Sequence, residues 1–105
     1  TPFVADEDKE LTKNFVAAYE EKFGGVPNQF GADAYDGMYA IKAAAEKAGL
    51  TPDMSVSDMC EAMKTAMTEI TIDGLTGEGI TWTAEGEPSK APKAMVIKDG
   101  AYTAM

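Results

Sequence analysis

Between Phe15 and Gly49 the chain carries two helical patterns separated by a break, and the break is built from Gly24, Gly25 and Pro27. No other feature restricts the fold as much. Leu11, Phe15, Ala18, Tyr19 and Phe23 recur at spacings of three and four. That places one apolar stripe on a first helix of about four turns. Lys9, Lys13, Glu20, Glu21 and Lys22 fall on its other faces. Gly24 or Gly25 supplies a C-terminal cap, and Pro27 enforces the stop. Ahead of the helix, Thr1-Pro2 biases residues 1–8 toward an extended lead-in. Asp6, Glu7 and Asp8 suit a helix N-terminus by capping and by the macrodipole.

The second helix starts near Phe30 or Gly31. Its buried stripe reads as Phe30, Ala34, Met38, Ile41, Ala45 and Ala48, with Tyr35 and Tyr39 one turn apart on an adjoining face. Gly49 ends it and Pro52 follows. A third helix is announced by Ser55, three residues ahead of Asp58, at capping-box spacing. Val56, Met59, Cys60, Met63, Met67 and Ile70 form its apolar face. The methionines read as adaptable core filler rather than a binding groove. Beyond Ile70 the pattern turns to β: a turn-rich stretch 71–77, a short run Ile80-Thr81-Trp82-Thr83, and a turn at 85–88. Ala94 to Ile97 then reads as a strand, Asp99-Gly100 as a hairpin turn, and Ala101 to Thr103 as its return. No run of Val, Ile and Leu long enough for a buried strand precedes Ile70. The chain by itself therefore predicts an α+β unit, three helices followed by a short C-terminal β-hairpin, with poorly protected sheet edges.

At 105 residues the chain is one domain or less. Its net charge of -9 argues against nucleic acid, whose phosphates need clustered cations. It has no Arg and no His. Guanidinium clamps, imidazole bases and His metal ligands are thus excluded within these residues. Cys60 is the single cysteine, so no intrachain disulfide can form. It reads as a small core residue. Asp33 and Asp36, in the first turns of the second helix, read as solvated acids that favour the helix dipole rather than as a metal pair. The acidic run Asp6 to Glu10 lacks the alternation and closing Glu of a calcium loop. Gly74 to Gly79 lacks the Lys-Ser/Thr of a phosphate loop. These residues predict no cofactor, no metal and no catalytic nucleophile–base pair. The chain opens Thr-Pro-Phe without an initiator Met, which reads as processing, truncation or excision from something longer.

The order of these pieces resembles one family. A helix, then Gly24-Gly25-Val26-Pro27-Asn28-Gln29-Phe30, then an Ala-rich helix holding Asp33-Ala34-Tyr35-Asp36, is similar to the periplasmic substrate-binding proteins of ABC transporters, in the leucine/isoleucine/valine-binding branch. The tail strengthens the likeness. Asp73-Gly74-Leu75-Thr76-Gly77 looks like the family's D-G-x-T-G turn, Trp82 stands where an aromatic follows the strand, and Lys98-Asp99-Gly100 matches the closing turn. Gly86-Glu87 departs from the family's Gly-Asp. The resemblance covers essentially the whole chain, and its specificity lies in the order of the motifs rather than in any one of them.

The resemblance implies an α/β parent fold, a type I periplasmic binding protein with two Rossmann-like lobes closing on a ligand. Residues 1–72 would be the helical part of the first lobe, and residues 73–105 a hinge-proximal loop and the C-terminal strands. It implies a fragment of a non-enzymatic extracellular solute-binding protein that captures a small, branched-chain-like amino acid and delivers it to an ABC permease. The implied place is periplasmic or extracellular, with a lipid anchor as a route to the cell surface. Phe30, Gly31 and Ala32, with Tyr35 one turn on, match the family's ligand-proximal positions. Phe30 offers apolar area and the helix start offers amide donors. A ligand-sensing receptor domain of the same fold, and a stand-alone interaction domain, are the alternatives. Apolar faces left without a sheet predict self-association of the chain.

Overall fold

In the computed structural model, which describes residues 1–105, the Gly24–Pro27 break separates α1 (Glu10–Phe23) from α2 (Gln29–Ala48). Gly24 ends α1 in the left-handed region at φ 76°, and its amide reaches back to the Glu20 carbonyl. Asn28 caps α2 by accepting from the Gly31 amide at 3.1 Å, which satisfies one of the helix's orphan donors. Gly49 closes α2 at φ 63°. Ser55 caps α3 (Val56–Met67) through the Asp58 amide at 3.1 Å, as its spacing predicts. The acids ahead of α1 do not cap it. Its N-cap is Lys9, with no side-chain cap. Asp8 instead pairs with Lys13, and Glu7 turns toward Lys9 and Lys93.

Two antiparallel hairpins follow, where the sequence predicts one. Strands β1 (Ile72–Gly74) and β2 (Gly77–Ile80) pair around Leu75 and Thr76. Strands β3 (Met95–Lys98) and β4 (Ala101–Ala104) pair in register from Met95–Ala104 to Lys98–Ala101. Asp99 and Gly100 form the second turn, both at positive φ, which suits a turn matching the strand twist. The run at Ile80–Thr83 is not a strand beyond Ile80. Trp82 makes only a single bridge to Pro88.

The buried face of α2 is the reverse of the expected one. Ala32, Asp36, Ala40 and Ala44, four apart, are buried, while Phe30, Met38 and Ile41 are exposed. The two faces lie about 140° apart around the helix. Small side chains let α3 and β1 come close to α2, so the core is built on alanine rather than on the bulky residues. Ala40 and Ala44 meet Ala66 and Ile70, with Met63, Met67, Ile72 and Trp82 around them. A second cluster joins Phe3, Ala32 and Leu75, flanked by Phe15 and Tyr35. Helix α1 is held mainly through aromatic rings: Phe15 contacts Phe3, Tyr19 and Tyr35 at centroid distances of 5.1–6.1 Å.

Cys60 and Val56 are exposed on α3 rather than packed. With 13 of 105 residues buried, the core is thin. The radius of gyration is 16.1 Å, where a compact domain of this length has about 13 Å.

Candidate functional site

The start of α2 forms one wall of an open groove of about 820 Å³. Phe3, Val26, Phe30, Met95, Ile97 and Tyr102 give it an apolar lining, and Thr1, Asn28 and Gln29 supply its polar atoms. Its opposite wall is the β3–β4 hairpin. That wall is fixed by contacts that span the whole chain. The Lys93 amide donates to the Thr1 carbonyl at 2.6 Å, and the Ala104 amide donates to Asp6 Oδ1 at 3.0 Å. Lys93 Nζ lies 2.7 Å from Glu7 Oε2, and Lys90 Nζ lies 2.8 Å from Asp33 Oδ1, all four side chains being mostly covered. Burial pushes the Glu7 carboxyl up, but the Lys93 hydrogen bond and charge, helped by Lys9, outweigh it and hold the group below its ordinary value of 4.5.

The expected ligand-proximal residues separate in this frame. Phe30 is 77 % exposed and lines the groove. Gly31 is half-buried, and its amide is occupied by Asn28. Ala32 is fully buried in the Phe3–Leu75 cluster. Tyr35 is half-buried in the aromatic row, its ring 4.9 Å from that of Tyr39. Tyr39, burial and the charge of Asp36 push the Tyr35 phenol above its ordinary 10.0, so it is neutral at physiological pH. The groove lining holds no Lys, Asp or Glu. The groove can therefore receive an apolar side chain, but it offers no charge to an ammonium or carboxylate.

The residue that sequence reasoning missed is Asp36. It is buried, not solvated. Oδ1 accepts from the Leu75 amide at 2.8 Å, and Oδ2 accepts from the Thr76 amide at 2.8 Å and the Thr76 hydroxyl at 2.6 Å. Such bonds to a carboxylate are among the stronger ones in proteins. They fasten the β1–β2 turn onto α2. Thr76 is itself fully buried, and Asp73 Oδ1 accepts from the Gly79 amide at 2.7 Å on the far side of the hairpin. The signal was present: an acid on the helix and a Gly-x-Thr turn in the tail. Only their meeting in space was hidden. No group of three or more His, Cys, Asp or Glu side chains is gathered to hold a metal ion.

Comparison with known proteins places this geometry. The family model described as "Periplasmic binding protein" matches residues 1–101. No curated protein matches the chain. Among solved structures, the chain is similar to one described as a branched-chain amino acid ABC transporter from Rhodospirillum rubrum. The identity is 25 % and the TM-score 0.71, and the match covers 100 % of this chain and 29 % of that one. The chain thus spans under a third of the length of the structure it resembles.

Proposed function

The chain belongs to the periplasmic binding protein family, and from that membership we propose that it is part of an extracellular solute-binding protein that captures a small branched-chain-like amino acid for an ABC importer. The observation that carries this reading is the likeness, over the whole chain, to the Rhodospirillum rubrum structure described as a branched-chain amino acid ABC transporter. The working place of such a protein is the periplasm or the outer cell surface, where a lipid anchor would hold it near its permease. Capture proceeds by hinged closure of two lobes. In this reading residues 1–72 contribute to the first lobe, and residues 73–105 run past the hinge.

Within the chain, Phe30 and the apolar groove beside it meet the solute's side chain. Ala32 and Tyr35 shape that position from behind, Ala32 by close packing on Phe3 and Leu75 and Tyr35 through the aromatic row. The solute's ammonium and carboxylate are held by residues outside this chain, because the groove has no charged lining. The role is binding, not catalysis: the chain has no imidazole, and its one thiol stands exposed on α3, outside the groove lining.

Calorimetry on the product of the complete reading frame tests the reading. Leucine, isoleucine and valine should bind, and charged amino acids should not. Absence of binding by all apolar amino acids overturns it. The 105-residue chain alone should bind none of them measurably.

A further inference from the structure

The chain holds Asp36-Gly37, Asp73-Gly74 and Asp99-Gly100, each a step at which an acid precedes a glycine. A glycine has no side chain to shield its amide nitrogen from the preceding carboxyl. The chemistry open to such a step is ring closure. The glycine nitrogen attacks the aspartate Cγ, the amide hydrogen and the carboxyl hydroxyl leave as water, and a succinimide forms. Water then reopens the ring. Addition at the side-chain carbonyl restores aspartate. Addition at the main-chain carbonyl gives isoaspartate, whose backbone runs through Cβ and Cγ. Water is the only co-reactant, and the composition of the chain ends unchanged. Closure needs a carboxyl free to swing and an amide free of hydrogen bonds.

The fold separates the three steps. The Asp36 carboxylate is buried and held by the Leu75 amide and by the Thr76 amide and hydroxyl, and Gly37 lies inside α2. Asp73 Oδ1 is engaged by the Gly79 amide at 2.7 Å. Gly74 is paired with Gly77, and the Asp36 carboxylate crowds it from the side. Asp99 differs on every count. It is exposed, and no side-chain hydrogen bond or ion pair of the chain involves it. The Gly100 amide makes no main-chain hydrogen bond, because the ladder of this two-residue loop closes at Lys98 and Ala101. A Cβ built on Gly100 meets nothing within 4 Å, so the approach to its nitrogen is clear. Asp99 is also the one non-glycine residue at positive φ, 51°. A left-handed backbone suits an L-residue less well than glycine, so the turn gives up little by leaving it. We propose that Asp99 is a modification site, the Asp-Gly step that converts to isoaspartate while the protein is folded. The product adds a methylene to the backbone of a two-residue turn, which then no longer sets Lys98 opposite Ala101. The β3–β4 hairpin, the second wall of the groove, loosens from its tip.

Prolonged incubation of the product of the complete reading frame, folded and in mildly acidic buffer, tests this. A protease that cuts before aspartate but not before isoaspartate, followed by peptide mass spectrometry, reads each step separately. In the folded protein, cleavage ahead of Asp99 should be lost progressively, and the peptide carrying the succinimide should be lighter by one water. Cleavage ahead of Asp36 and Asp73 should stay at its starting level. In denaturant all three steps should convert at similar rates, which shows that the fold makes the difference. Asp99→Asn, whose ring closure expels ammonia more readily than water, should accumulate isoaspartate at the same position faster. Hydrogen exchange at Ala104, whose amide is bonded to Asp6, should be faster in the aged protein than in the fresh one. Conversion at Asp36 or Asp73 as fast as at Asp99 in the folded protein overturns the proposal, as does an intact Asp99 where the denatured chain converts there. Unchanged exchange at Ala104 in the isoaspartyl form overturns the loosening of the hairpin. These outcomes are independent of the solute-binding reading, which calorimetry on fresh protein tests.

Discussion

The Asp36 carboxylate fills the space that a side chain on Gly74 would need. A Cβ built at position 74 would lie 2.5 Å from the Asp36 Cγ, well inside contact distance. Gly74 does not adopt a positive φ, so glycine is required there by the approach of Asp36 rather than by the turn's backbone. The Asp-Gly of the D-G-x-T-G pattern is thus explained from outside the turn, by a helix residue far away in sequence.

Gly74→Ala should destabilise the chain by about 1–3 kcal/mol, the usual range for overpacking a close contact. Urea unfolding followed by circular dichroism reads this. The loss should be smaller in a chain that already carries Asp36→Ala, since the obstructing group is gone. A double-mutant cycle that comes out additive would contradict the contact.

Removing the carboxylate should cost more than crowding it. Asp36→Ala leaves the Leu75 and Thr76 amides buried without acceptors, at a cost of about 3 kcal/mol or more. Thr76→Val removes only the hydroxyl donor and should cost about 1–2 kcal/mol. Hydrogen exchange at the Leu75 and Thr76 amides should accelerate far more in the first variant than in the second.

The C-terminal hairpin should loosen in acid. Glu7 has a lowered pKa because Lys93 and Lys9 outweigh its burial. A depressed carboxyl stabilises the fold fully above its ordinary 4.5 and loses that contribution as pH falls through the lower folded value. The Ala104 amide, bonded to Asp6 beside this pair, should exchange faster relative to the core as pH drops below that range. Glu7→Gln should remove most of the effect; an unchanged acid response in that variant would assign it elsewhere.

Cys60 should react with an aromatic disulfide reagent in the native state, one equivalent per chain, at a rate close to that of the unfolded chain. Its exposure on α3 predicts this. Protection until denaturant is added would mean that α3 is covered.

The local grammar of the chain was readable. Gly24, Gly49, Ser55 and Asp99-Gly100 mark element ends by backbone conformation or capping, and those are properties of one or two residues; the Asn28 cap, which starts α2 at Gln29, was not read. The order of motifs also pointed to the family. The buried face of α2 was not readable, because a stripe of Phe30, Met38 and Ile41 looks like a core by volume. The core instead chose Ala40 and Ala44, where α3 can approach closely. The β1–β2 hairpin was obscured by its glycines and its short strands. Of the candidate site, Phe30 was legible as an apolar group at a helix start. Asp36 was not, since its meaning depends on Thr76 forty residues later.

That separation also sets an order of assembly. A clasp joining residues 40 positions apart requires closing a loop that costs about 3 kcal/mol in chain entropy before any bond is made. Helix α2 can form from local contacts alone, whereas the Leu75–Thr76 turn finds acceptors for its amides only once that helix stands in place. The hairpin is therefore a late arrival, templated by α2, and substitutions at Thr76 should speed unfolding while leaving the folding rate nearly unchanged.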